Sequence, residues 1–213
     1  MKKVLLTLYA IAGTALVGVA QDYGFNKGNV MLEGSFQAST VKPTAETSKT
    51  TSLQFSPKFG YFLSDKFALG VDLNVSSRTE KNTFGVSGIN SESKQNTFGI
   101  GGFGRYYMLE VGSRFKAYTE LGLGFLSNRD KSSIPNERFY DIKSSGFRTG
   151  AGIGANFFLN NNIAVNFLFA DLIAYQTLKP DLPNAESNSQ FSANFNVFNN
   201  FFNSSRFGLT FKF

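Results

Sequence analysis

Seven charged residues stand within segments of otherwise apolar or glycine-rich sequence, and their types and spacing could do chemistry. They are Glu33, Lys58, Asp72, Arg105, Glu120, Arg148 and Arg206. Each alternates with apolar neighbours, so in extended chain the charges fall on the face opposite to the apolar side chains. Acids and bases gathered on one inner face can either neutralise each other as a salt-bridge network or line a narrow path for ions.

A glycine motif is the second candidate for chemistry. The residues 99–104 read GIGGFG and match the G-x-G-x-x-G pattern of dinucleotide-binding proteins. That fingerprint needs a helix directly after the glycines, within a βαβ unit. The following residues, Arg105, Tyr106 and Tyr107, continue a strand-like pattern instead, so we predict no nucleotide site.

The composition also limits catalysis. The chain has no His and no Cys, which excludes a usual zinc site and a Ser/His nucleophile. A glycosidase with two carboxylates stays formally open. No loop places two acids in a recognisable setting, so we predict a protein that is not an enzyme and has no cofactor and no metal.

Strands are the elements that must position these residues. Apolar residues alternate with polar or glycine residues over about ten positions at a time, and period two indicates β-strand. Such segments begin near residues 29, 51, 67, 96, 115, 145 and 163, and an eighth runs through the C-terminal Arg206–Phe213. No segment has the pattern of a convincing amphipathic helix.

The connections between the segments alternate in length. Tight links lie at 63–66, 110–113 and 160–162, whereas long polar loops are expected at 40–50, 79–94, 128–143 and 177–190. This alternation predicts an all-β fold: an eight-stranded antiparallel up-and-down transmembrane barrel with its turns and termini in the periplasm. Ten shorter strands remain an alternative if 79–94 or 177–203 contains another hairpin. The stretch 191–203 could extend the last strand or fold back as a loop.

The N-terminus predicts export. Two lysines precede an apolar run from Val4 to Val19, with small residues at Gly18 and Ala20. We predict a signal peptide over residues 1–20 and a barrel domain over residues 21–213. The alternative is a membrane anchor, but the run is shorter than the roughly 20 residues that a spanning helix needs.

The C-terminal RFGLTFKF places large apolar residues at every second position. We expect Phe207, Leu209, Phe211 and Phe213 to face lipid, and Gly208, Thr210 and Lys212 to face the lumen. Aromatic residues also flank the three short turns and predict an inner interfacial girdle. These are Phe59, Tyr61, Phe62, Phe67, Tyr106, Tyr107, Phe115, Phe157 and Phe158.

With this terminal F-x-L-x-F-x-F and eight alternating segments, the mature chain resembles the small outer-membrane β-barrel proteins of Gram-negative bacteria, of the outer-membrane protein A type. The resemblance implies a monomer in the outer membrane, surrounded by lipid and lipopolysaccharide. It also implies insertion by the barrel assembly machinery, with Phe207, Leu209, Phe211 and Phe213 as the signal that this machinery reads.

Two functions remain open on these grounds. The lumen of eight strands is just filled by side chains, which favours a salt-bridge network and a structural or surface-interaction protein. A narrow diffusion pore is the alternative. A soluble lipocalin-like barrel would need apolar residues inside, against the charged column. In the third loop Ile134, Phe139 and Tyr140 could contact an external ligand, or pack on the barrel rim. No loop is a basic block, so nucleic acid is not expected as a partner.

Overall fold

The computed structural model describes residues 23–42, 48–84, 89–133, 140–193 and 206–213, and they are almost entirely β-strand. The strands are β1 (Val30–Val41), β2 (Ser48–Ser64), β3 (Phe67–Phe84), β4 (Ile89–Val111), β5 (Phe115–Ser133), β6 (Tyr140–Phe158), β7 (Ile163–Pro180), β8 (Asn188–Ala193) and β9 (Arg206–Lys212). Among these residues no helix is long and apolar enough to cross a membrane.

The strands form a closed antiparallel ring. Each of β1 to β7 pairs with the next along the chain, and β9 closes the ring by pairing with both β7 and β1. Backbone hydrogen bonds between Val30 and Phe213, 2.9 Å in both directions, end the seam at the periplasmic rim. Closure matters because hydrocarbon offers no partner for an unpaired backbone group. The prediction of an eight-stranded barrel is confirmed.

The eighth stave of the barrel is built from two strands. The upper half of β7, from Ile173 to Leu178, pairs with β8, and its lower half, from Ile163 to Leu168, pairs with β9. The start of the undecided stretch, residues 191–193, therefore continues the stave outward. The rest of that stretch, 194–203, lies outside the described residues.

The long loops were predicted too long. Residues 79–94 form the tops of β3 and β4, paired from Thr79↔Lys94 to Phe84↔Ile89, and most of 128–143 likewise extends β5 and β6. In the region 177–190, β7 continues to Pro180 and β8 begins at Asn188. Polar composition misled the prediction, because above the membrane both faces of a ribbon meet water and no apolar alternation is needed.

The two faces of the wall differ as the alternation predicts. Exposed apolar side chains cover the outside, among them Leu32, Phe55, Leu69, Val71, Leu73, Leu121, Leu123, Phe207, Leu209, Phe211 and Phe213. Along β4 the outward apolar or glycine positions run from Phe98 to Tyr106. About ten residues at about 3.3 Å each, tilted by about 40°, span about 25 Å, the height of the apolar band of such barrels.

Glycines on the inner face allow close approach between strands. A Cβ added at Gly124 would lie 2.5 Å from the Ile100 carbonyl oxygen and 2.7 Å from the Gly101 Cα. At Gly122, two residues away on the same strand, the nearest atom would be the Gly102 oxygen at 3.8 Å. The two positions therefore differ in the space they offer to one methyl group.

We expect Gly124→Ala to lower the free energy of unfolding by about 1–3 kcal/mol, because backbone atoms cannot move aside as a side chain can. The matched substitution Gly122→Ala should change it by less than about 0.5 kcal/mol. Urea titration of refolded protein in detergent micelles measures both. Equal effects at the two positions would contradict the close contact between β4 and β5.

Candidate functional site in the barrel lumen

A buried guanidinium organises the lumen. Arg105 of β4 is 0% exposed and donates two hydrogen bonds of 2.8 Å to the two carboxylate oxygens of Glu33 on β1. Its Nε and Nη2 also donate to Oε2 of Glu120 on β5, at 2.8 and 2.6 Å. The Tyr118 ring lies 3.9 Å from the guanidinium carbon. Two carboxylates and one aromatic face thus replace the water that a charged group requires.

Lys58 completes a charge-balanced quartet with Glu33, Arg105 and Glu120. The strand register sets Lys58 of β2 beside both Glu33 and Asp72, as the turn positions predict. Its ammonium group, however, reaches across the lumen to pair with Glu120. The quartet contains two positive and two negative groups, so it carries no net charge for an ion to follow.

A second ion pair lies beside the quartet. Asp72 of β3 pairs with Arg148 of β6 rather than with Lys58. Arg148 is the more exposed of the two and its Nε has no hydrogen-bond partner among the described residues. For Arg206 the structure gives the backbone pairing with Leu168, while its side chain lies outside the described part. The expected contact between Arg206 and Glu33 stays a prediction.

Neutral side chains continue the network to the closing seam. Thr210 of β9 donates to Glu33 at 2.8 Å and accepts from the Asn156 amide at 2.9 Å. Asn156 in turn accepts a 2.7 Å hydrogen bond from the Tyr107 hydroxyl. Through these groups the carboxylate on β1 is joined to β9, β6 and β4. The sequence analysis assigned Thr210 to the lumen but missed Asn156 and Tyr107 as its partners.

The periplasmic mouth is filled by aromatic rings. Phe25 stacks on Phe62 with ring centroids 4.2 Å apart, and lies 5.2 Å from both Tyr107 and Phe158. The prediction that Phe62, Tyr107 and Phe158 belong to the interfacial girdle was therefore wrong, because all three point inward. Each directly follows an outward-facing residue, so strict alternation already excludes it from the lipid face.

The segment before β1 is fastened into this mouth. Arg114 donates a 2.8 Å hydrogen bond to the Tyr23 hydroxyl, and Lys212 donates one of 2.7 Å to the Gly24 carbonyl oxygen. Gly24 has φ of +151°, which favours glycine. We call Tyr23, Phe25, Phe62, Tyr107 and Phe158 the aromatic plug. Residues 23–29 carry no strand periodicity, which is why the sequence gave no signal for Tyr23 and Phe25.

The lumen on the outer side of the quartet is open space with polar walls. A cavity of about 340 Å³ is bounded by Glu33, Lys58 and Glu120 at one end. Its walls include Ser56, Asn74, Arg148, Gln176 and Gln190. The barrel therefore has a cavity on one side of the quartet and the aromatic plug on the other.

The remaining candidate features carry no reactive arrangement. Gly99–Gly104 lies within β4, as strand. No group of three or more His, Cys, Asp or Glu residues in the described ranges could hold a metal. Of the predicted loop contact, Ile134 and Phe139 lie outside the described residues, and Tyr140 begins β6 with its ring half exposed.

The closed eight-stranded ring, its apolar outer face and its charged, packed lumen define an integral outer-membrane β-barrel protein. The family model described as outer membrane protein beta-barrel domain matches residues 7–199. The chain belongs to this family and is located in the outer membrane, in contact with its lipids.

Solved structures agree on the fold. OprG from Pseudomonas aeruginosa is 14% identical, with a TM-score of 0.50 over 89% of this chain and 98% of that chain. Ail of Yersinia pestis, at 15% identity, has a TM-score of 0.44 over 88% and 99% of the two chains. Outer Membrane Protein W of E. coli, at 12% identity, has 0.45 over 88% and 99%. No curated protein sequence matches the chain.

Replacing Arg105 tests how far the fold depends on the quartet. In Arg105→Met two carboxylates stay in the lumen without their main partner, and we expect the free energy of unfolding to fall by about 3–5 kcal/mol. The control is Arg129→Met, which removes an equally well-formed bidentate pair with Asp141 on the exposed ribbon. Urea unfolding in micelles should show little change for this control. An Arg105→Met barrel as stable as the original would contradict the role given to the quartet.

Proposed function

We propose that this protein is a closed, non-catalytic barrel that anchors in the outer membrane and presents its tall hairpins to the outside of the cell. The observation that carries the proposal is the double obstruction of the lumen by the quartet and the aromatic plug. A chain without His or Cys supports the absence of catalysis. The extended ribbons, with Tyr140 at the base of the β5–β6 connection, are then the surface available to an external partner.

The electrostatics of the lumen favour this function over a diffusion pore. Filters that select ions present rings of one charge sign or of unpaired carbonyl groups. Here Glu33, Arg105 and Glu120 satisfy one another with hydrogen bonds of 2.6–2.8 Å, and an ion entering would have to break them. The cavity on the outer side ends at this quartet. A pore would require both layers to move.

Processing of the N-terminus fits the same proposal. Cleavage of a signal peptide after Ala20 would leave Tyr23 and Phe25 close to the new chain end. A short free segment of this kind can enter the periplasmic mouth after the ring has closed. We propose that residues 21–213 form the mature protein and that residues 21–29 act as its inner seal, in a monomeric barrel.

Bilayer conductance tests the closed lumen. Folded, inserted protein should show no unitary current steps, and Phe25→Ser should remain silent because the quartet still blocks the lumen. The double variant Phe25→Ser with Arg105→Ser removes a part of both layers and should open measurable steps. Reproducible steps from the unaltered protein, changed in size by Arg105→Ala or Glu120→Ala, would instead establish the pore.

Insertion by the barrel assembly machinery is the second part of the proposal. The Phe213 side chain is 70% exposed, while its backbone bonds to Val30 without help from the ring. We therefore expect Phe213→Ala to refold into lipid vesicles like the original protein. In cells it should accumulate less folded barrel, seen as a reduced heat-dependent mobility shift on gels. Leu63→Ala, another exposed apolar residue near the periplasmic rim, is the control. Normal assembly of Phe213→Ala in cells would argue against recognition of this residue.

A further inference from the structure

Four neighbouring strands repeat one pattern on their outer face where they leave the apolar band. Each has an outward aromatic residue, then a polar residue two positions further out, then a cation four positions further out. The aromatic and cationic residues are Phe98 and Lys94 on β4, Phe125 and Arg129 on β5, Phe147 and Lys143 on β6, and Tyr175 and Lys179 on β7. We call the four cations the basic belt.

The spacing sets the height of the belt above the membrane core. Four residues of strand advance about 13 Å, or about 10 Å along the barrel axis at a tilt of about 40°. Phe98, Phe125 and Phe147 are about half exposed and form the upper edge of the lipid-facing surface. The cations above them therefore lie at the level of lipid headgroups rather than among the acyl chains or at the ribbon tips.

The belt brings like charges together. Arg129 stands directly opposite Lys143 in the pairing of β5 with β6, and Lys94 stands opposite Lys131 in the pairing of β4 with β5. Like charges at opposed positions of a sheet repel each other. Since the lumen of the same barrel pairs every member of its quartet, this arrangement on the outside calls for a counter-charge from another molecule.

One carboxylate of the chain answers part of this repulsion. Asp141 accepts hydrogen bonds of 2.8 and 2.6 Å from Arg129 and lies 3.8 Å from Lys131. The hydrogen bonds from Arg129, then the charges of Arg129, Lys131 and Lys143, hold the pKa of Asp141 below its ordinary value. Lys94, Lys143 and Lys179 have no ion pair with any carboxylate in the described part of the chain, and all three are exposed.

We propose that the basic belt binds the phosphate groups of the phosphorylated glycolipid in the outer leaflet. The aromatic row would contact the first methylene groups of the acyl chains while Lys94, Arg129, Lys143 and Lys179 neutralise the phosphates. The inference rests on the proposed orientation, with the long hairpins outside the cell. It goes beyond general contact with lipid, because it assigns one sector of the barrel, β4 to β7, and one headgroup chemistry.

Binding of lipid A to the refolded protein in neutral micelles tests the belt. The probes are lipid A with two phosphates, the same lipid with the phosphates removed, and inorganic phosphate as a competitor. Lys94→Ala with Lys143→Ala should weaken binding of the phosphorylated lipid about ten- to thirtyfold, and added salt should weaken the original protein more than this variant. Lys27→Ala with Lys66→Ala removes the same charge at the periplasmic end and should leave the affinity unchanged.

The outcomes separate the sources of binding. Equal affinity for lipid A with and without phosphates would show that the acyl chains alone are recognised and would overturn the proposal. So would equal losses in the belt variant and in the periplasmic control. Inorganic phosphate that competes at concentrations near those of the lipid would point to a free anion as the ligand and would also overturn it. The gel mobility shift confirms folding of each variant, and Lys179→Ala gives an independent single change. Conductance is measured separately, so a pore would refute the closed lumen without affecting the belt.

Discussion

A guanidinium group without solvent contact, at the level of the membrane, is the constraint on which the rest of this structure depends. Arg105 cannot lose its charge, so acceptors must come to it. Glu33 and Glu120 provide them only if β1, β4 and β5 keep their observed registers, because a shift of one residue turns every side chain to the opposite face. Thr210 extends the same requirement to the closing strand through its 2.8 Å bond to Glu33. The ion network therefore specifies how the ring closes.

The layers of the lumen make different physical demands and so obstruct it independently. The quartet needs matched charge and geometry, whereas the aromatic plug needs only shape and burial. Tyr107 and Tyr118, whose rings lie 5.5 Å apart, join the two layers. Tyr107 stacks toward Phe25 on one side and bonds to Asn156 on the other. Because each layer is complete in itself, the charged residues are better explained by packing than by conduction.

Period-two alternation predicted the ring, the short turns and the inward placement of the charged column, since these follow from local geometry. It could not predict which charges meet. Lys58 and Asp72 are opposed in register, yet Lys58 pairs with Glu120, because the curvature of the closed wall brings β2 and β5 within reach across the lumen. The position of Phe62 could have been read correctly from its neighbour Tyr61. The role of Phe25 could not, because it lies before the first strand and its environment exists only after the ring closes.

The ribbons above the membrane show why charge has different consequences inside and outside this barrel. Their pairs, Lys81 with Glu92 at 3.1 Å and Arg129 with Asp141 at 2.6 Å, are as short as ion pairs in the lumen. Water and salt screen them, so they contribute little to stability and the backbone ladder supports the ribbon. Substitution on these ribbons is therefore tolerated by the fold, whereas each member of the lumen quartet constrains its partners. A barrel built in this way can change its outer surface while keeping its closed interior, and that separation suits a protein whose function lies in surface contacts.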